Sequence, residues 1–189
     1  MNIAWILLYF LVINGLEIVI FFKVDGIGLT FERIFKAFLL KFLLGAIFAT
    51  FQFLDVSEYL SYFIEPLFGI CLSFLLLRGL PKKLLFFYGL FPIVLMDLFY
   101  RSVSYFVFPF LGQGIVDGDG NPLFLLITLF VCFIVLVFLK WLDYDFTRLR
   151  KEFLDKGFQQ SLTKINWIMG AYFLVMENLS YFEYAYDIQ

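Results

Sequence analysis

The hydrophobic residues of this chain do not fall into stripes; they run on. Six windows of mostly apolar residues follow one another with short polar breaks between them, at 3–22, 34–54, 59–77, 84–111, 122–141 and 165–184. About 20 such residues cross a bilayer core of roughly 30 Å as a helix. Barrel strands would alternate over roughly ten residues, and no such alternation is present. The pattern predicts an all-α fold, a polytopic membrane helical bundle of six transmembrane helices forming one domain over 1–189. The first window has no basic leader and no small-residue cleavage site, so it reads as a mature helix, not a secretory signal.

The longest polar stretch has a periodicity of its own. Leu142, Phe146, Leu149 and Phe153 recur at helical spacing, and Asp143, Asp145, Arg148, Arg150, Lys151 and Glu152 occupy the other faces. This predicts an amphipathic helix over 142–156, ending near Gly157. Such a helix either rests in the membrane interface or acts as a transmitting or dimerising element on the cytoplasmic side.

Composition narrows the chemistry. Of the 189 residues 63% are hydrophobic, 23% aromatic (29 of them Phe) and only 16% charged, whereas a soluble domain carries about a quarter charged residues. Disorder is excluded by the same figures, and two cysteines cannot staple a chain of this size. There is no histidine, which removes Ser-His-Asp hydrolysis, HExxH metalloproteases, haem ligation and phosphorylation on His. No phosphate-cradling glycine motif and no basic field for nucleic acid occur. The chain is therefore expected to be no enzyme by itself and to need no metal or cofactor. Cys71 and Cys132 read as packing residues, and the Gly-Asp-Gly-Asn stretch at 118–121 lacks the other ligands of a calcium loop.

The 14 basic residues set the orientation, because Lys and Arg beside spans stay cytoplasmic. Lys23, Arg33, Lys36 and Lys41 lie at or just inside the first connection, Arg78, Lys82 and Lys83 in the third, and Lys140, Arg148, Arg150, Lys151, Lys156 and Lys164 in the fifth. The second and fourth connections and the C-terminal stub carry acids only. A multi-pass protein of the cell membrane is expected, with the N-terminus and residue 189 both extracellular.

Ionisable groups inside the apolar windows are the candidate functional residues, since each costs about 2.5–3.5 kcal/mol at mid-bilayer on insertion scales. They are Glu17, Glu65, Asp97, Arg101 and Glu177. Asp97 and Arg101 stand four apart on one helix face and can pair. The apolar residues around them supply roughly −5 kcal/mol against about +5 to +7 for the two charges, so the fourth helix must pack that face inward. Pro92 and Pro109 predict bends in it. Glu65 precedes Pro66 in the outer half of the third span. Glu17 with Asn14, and Glu177 with Asn178, can hydrogen-bond to neighbouring helices. Three acids facing one interior beside a single Arg would leave negative charge and suit a cationic ligand. Gly45 with Ala49, and Gly69 with Ser73, permit close helix approach.

The segment Phe87-Tyr88-Gly89-Leu90-Phe91-Pro92, then Asp97-Leu98-Phe99 and Arg101, then Gln113-Gly114-Ile115-Val116, resembles the membrane sensor region of streptococcal peptide-pheromone receptor histidine kinases of the ComD and Fas type. Glu65-Pro66-Leu67 falls where similar receptors have Glu-Pro-Leu, and the stretches Asp145 to Lys151 and Asn166 to Tyr181 are alike in pattern. The resemblance covers most of the chain. It implies about seven spans with an outside N-terminus, the seventh beyond residue 189, followed by a cytoplasmic dimerisation and kinase region. The chain would then be a sensor domain that detects an extracellular peptide pheromone, dimerises within the full-length receptor and signals to a response regulator. The competing reading is a six-helix substrate-binding subunit of a vitamin or small-molecule importer. Such subunits keep both termini cytoplasmic and dock a partner through small residues on the first span, where this chain has Trp5, Tyr9 and Phe10.

Overall fold

Each apolar window of the sequence has a helix within its described residues; the third, 59–77, is helical over Ile64–Leu76, with 59–62 outside the described residues. The computed structural model describes residues 3–53, 63–111, 122–143 and 145–186, and among these it contains seven helices and no strand. They are α1 (Ile3–Asp25), α2 (Phe31–Phe53), α3 (Ile64–Leu76), α4 (Lys82–Leu111), α5 (Pro122–Leu142), α6 (Arg148–Glu152) and α7 (Lys156–Tyr186). Helix propensity is secondary here, because Phe, Ile and Val are only middling helix formers. What favours the helix is that it satisfies every interior N–H and C=O within an apolar segment. Of the described residues, Lys82–Val103 is long and apolar enough to cross a membrane, and Ile64–Leu76 and Leu126–Leu142 form shorter apolar helices.

The chain divides into two compact units. One comprises 1–29 and 95–145, with α1, the second part of α4, and α5; the other comprises 30–94 and 146–189, with α2, α3, the first part of α4, α6 and α7. The division in α4 falls just after Pro92. That residue offers no N–H to the carbonyl of Tyr88, yet α4 remains one helix through Pro92 and Pro109.

In the first unit α1 packs on α5. Ile13, Ile18, Ile20 and Phe21 of α1, and Val131, Cys132 and Val135 of α5, are buried. Gly26, at a φ of 61°, closes α1; its left-handed backbone lets Ile27 N–H reach the Phe22 carbonyl at 2.9 Å, a bond only a residue without Cβ makes at no steric cost.

In the second unit the polarity of α2 is reversed relative to a soluble helix. Its buried positions are Ala37 and Lys41, a methyl and a cation, while Phe35, Leu39, Phe42, Leu43 and Ile47 are exposed. α3 meets the first part of α4 through small residues. A Cβ added at Gly89 would stand 2.7 Å from Ile70 Cα and 2.9 Å from the Gly69 carbonyl oxygen. One turn away, the Ser73 hydroxyl, buried, reaches the Leu85 carbonyl at 2.7 Å. Of the two small-residue pairs in the sequence, Gly69 with Ser73 is thus a helix contact. Gly45 with Ala49 is not: a Cβ on Gly45 meets nothing within 4 Å. Of the two cysteines, Cys132 is buried as expected, whereas Cys71 lies on the exposed side of α3.

The amphipathic helix expected over 142–156 is interrupted. α5 ends at Leu142, Asp143 takes a left-handed φ of 44°, and only Arg148–Glu152 is helical before α7 begins at Lys156. Asp prefers caps and turns because its short carboxylate competes for nearby backbone donors. Asp155 does so here, accepting the N–H groups of Gly157 (3.2 Å) and Phe158 (3.1 Å) as the N-cap of α7. Gly157 therefore opens a helix instead of closing one, and Lys164 lies within α7. The apolar spacing retains its packing role, since Leu149 is buried and the Phe146 ring lies 5.2 Å from that of Phe91 on α4.

Gly89→Ala is expected to lower stability by about 1–3 kcal/mol, because backbone and not a flexible side-chain end blocks the new methyl. Gly45→Ala, on an open helix face, is expected to be neutral or stabilising by up to about 1 kcal/mol. Thermal unfolding of both variants in the same detergent checks this pair.

Candidate functional site

A lysine in the middle of an apolar helix must find an anion or leave the membrane. Lys41 of α2 finds Glu65, in the first turn of α3. Its ammonium donates to both carboxylate oxygens, at 2.6 Å to Oε1. The remaining face of the ammonium lies over the ring of Phe68, 4.6 Å from its centroid, with the ring itself fully buried. Anion on one side and π-face on the other replace the water that Lys41 has lost. The two partners differ in exposure: the Lys41 side chain is 9% exposed and that of Glu65 is 48%. Glu65 therefore presents an open side to whatever approaches, whereas Lys41 is largely enclosed.

A second pair lies in the other unit. Arg101 Nε donates to Asp97 Oδ2 at 2.8 Å, four residues apart on α4 with both side chains part-buried. The spacing alone predicted this contact. Phe99, between them in sequence, packs on Phe138 of α5 at 5.3 Å. Glu17 on α1 is half-buried and lies within Coulombic range of Cys132 on α5, the helix α1 packs against. Neighbouring Asn14 is buried. Glu177 falls on α7, with its side chain outside the described residues; adjacent Asn178 donates to the Leu174 carbonyl of its own helix.

The structure brings Asp97 and Arg101 together and gives Glu65 a partner that the sequence reading placed elsewhere. Lys41 reads in sequence as one of the basic residues flanking the first connection. Its position inside Phe38-Leu39-Leu40-Lys41-Phe42-Leu43-Leu44 was the available signal, because a cation there is as costly as an acid. Glu65 and Asp97 each carry a cation, Lys41 and Arg101 respectively. Another pair, Glu32 with Lys36 in the first turns of α2, is exposed. The Lys36 hydrogen bond holds the Glu32 carboxyl below its ordinary value, but solvent screens such a pair to little consequence. Among the described residues no group of three or more metal-ligating side chains occurs.

No family model matches the chain, and neither a curated protein nor a solved structure matches it.

The two partners of the α4 pair are unequal in one respect. A carboxyl left alone can take up a proton, whereas a guanidinium cannot lose one. Asp97→Ala is therefore expected to reduce the yield of folded protein in the membrane more than Arg101→Ala, with the double variant closer to Arg101→Ala. Fluorescence-detected size exclusion after detergent extraction measures this order.

Proposed function

We propose that the chain is the membrane-embedded sensor part of a peptide-pheromone receptor histidine kinase. In this reading α1 to α5 and α7 are six crossings, the N-terminus and residue 189 are extracellular, and the ligand is a small secreted peptide carrying positive charge. Kinase region, dimerisation and response regulator belong to the receptor as a whole. The membrane setting is supported by the reversed polarity of the helices. Phe42 and Ile47 on α2, Phe130 and Phe133 on α5, and Trp167 and Ile168 on α7 all face outward. A soluble monomer rarely exposes so many large apolar side chains. The receptor reading is supported by the resemblance of the Phe87 to Pro92 and Asp97 to Arg101 segments.

The observation that carries the mechanism is the Lys41–Glu65 pair and its unequal exposure. A peptide cation arriving at the open side of Glu65 competes with Lys41 for the carboxylate. The Lys41–Glu65 contact that joins α2 and α3 is then weakened. A charged hydrogen bond contributes about 1.5–3 kcal/mol, and a two-state packing shifts by at most the ligand's differential affinity for its states. Exchange of this one interaction is therefore sufficient for roughly a tenfold to hundredfold shift. α7 lies in the same unit as the pair and is the element that leads toward the C-terminus.

The test is binding to the whole chain in nanodiscs of zwitterionic lipid. The probes are synthetic amphipathic peptides matched in hydrophobicity and carrying net charges of opposite sign. Cationic peptides are expected to bind in preference to anionic ones, and Glu65→Gln to weaken them about tenfold or more. Equal binding of both peptide classes, or undiminished binding to Glu65→Gln, would refute the reading.

A further inference from the structure

At one end of the second unit, two stretches far apart in sequence are fastened together. The Tyr88 hydroxyl, on a fully buried ring of α4, donates to the Phe146 carbonyl at 2.7 Å. The Arg150 guanidinium lies over the same ring, 5.3 Å from its centroid. The Asn166 amide of α7 donates to the Lys83 carbonyl at 2.8 Å. These contacts set the start of α4 beside α6 and the part of α7 around Asn166.

Their consequence is a concentration of positive charge. Arg78, Lys82 and Lys83 from one stretch, and Arg148, Lys151, Lys156 and Lys164 from the other, are all exposed, and Arg150 lies among them. The acids beside these stretches are Asp145, Glu152 and Asp155, and the carboxylate of Asp155 is turned onto the α7 backbone as its N-cap. Apolar side chains stand among the cations. Leu154 is 90% exposed, between Lys151 and Lys156, and Trp167 is exposed one position after Asn166. The level of this end is given by the apolar stretch itself. Lys82–Val103 is the described segment long enough to cross a membrane, so Lys82 and Lys83 stand where hydrocarbon gives way to headgroups. A tryptophan at that depth is at its preferred position.

We propose that this end of the second unit binds anionic phospholipid headgroups, gathering them from the surrounding bilayer with its basic side chains while Leu154 and Trp167 insert between the lipids. The charge is complementary to phosphate, and the apolar side chains fit a bilayer surface and not a soluble anion. The fastening also gives the surface a defined shape, because Tyr88 and Asn166 hold the two basic stretches together.

Lipid selectivity of the whole chain tests this, using electron spin resonance of spin-labelled phosphatidylglycerol and phosphatidylcholine in proteoliposomes. Phosphatidylglycerol is expected to be enriched at the protein several-fold, the enrichment falling with added salt. Lys151→Gln with Lys156→Gln is expected to remove most of it, at up to about fivefold per cation, and Glu152→Gln to raise it. Lys82→Gln with Lys83→Gln, in the other stretch, should reduce it as well. Equal association of the two lipids with the wild type would overturn the proposal, as would an enrichment that all three sets of substitutions leave unchanged. Inorganic phosphate competing the enrichment away at constant ionic strength would also overturn it, since the site would then be one for a soluble anion.

Discussion

A charge inside an apolar helix has to be paired, and in this chain that requirement decides which helix faces turn inward. On α2, among the described residues, Phe35, Leu39, Phe42, Leu43 and Ile47 are exposed, and the buried positions are Ala37 and Lys41. The hydrophobic effect has no part in that choice if the surroundings are lipid, because Phe42 is as well placed against acyl chains as against protein. The ammonium of Lys41 has one good position, between the Glu65 carboxylate and the Phe68 ring, and α2 and α3 are registered by it. Asp97 and Arg101 apply the same rule within a single helix. There both side chains are part-buried on one face of α4.

Around these ionic contacts the packing is made by small residues and aromatic rings, each in a distinct role. Gly69, Ser73 and Gly89 remove side-chain bulk so that α3 and α4 meet backbone to backbone. Phe87 and Phe91 stack at 5.1 Å along α4, and Phe91 continues onto Phe146. Tyr88 and Phe91 thus fasten Phe146 and Arg150 to α4, while Gly89, between them, faces α3. A motif of that kind reports how the helices are assembled.

Much of the fold was legible because length alone identifies an apolar helix. No partner needs to be known to read Ile3–Asp25 or Pro122–Leu142 from the sequence. The stretch 142–156 was misread because its spacing of apolar residues is truly helical and records real contacts, those of Phe146 and Leu149. What breaks the helix is the local preference of Asp143 and Asp155 for turn and cap geometry. Within the candidate site, Asp97 with Arg101 was legible because the contact is local. Lys41 with Glu65 was not, because it joins two helices whose register no periodicity reveals. A basic residue near a connection also carries a topological meaning that conceals a structural one.

The interaction between Lys41 and Glu65 is most directly measured by a double-mutant cycle on unfolding stability in nanodiscs, using Lys41→Met, Glu65→Gln and the two combined. If the pair organises α2 and α3, Glu65→Gln and Lys41→Met are each destabilising, since either removes the charge opposite its partner. The double variant then recovers much of the loss, with a coupling of about 2 kcal/mol. Losses that add to within about 0.5 kcal/mol would contradict the account, because the two charges would then be bystanders to the packing.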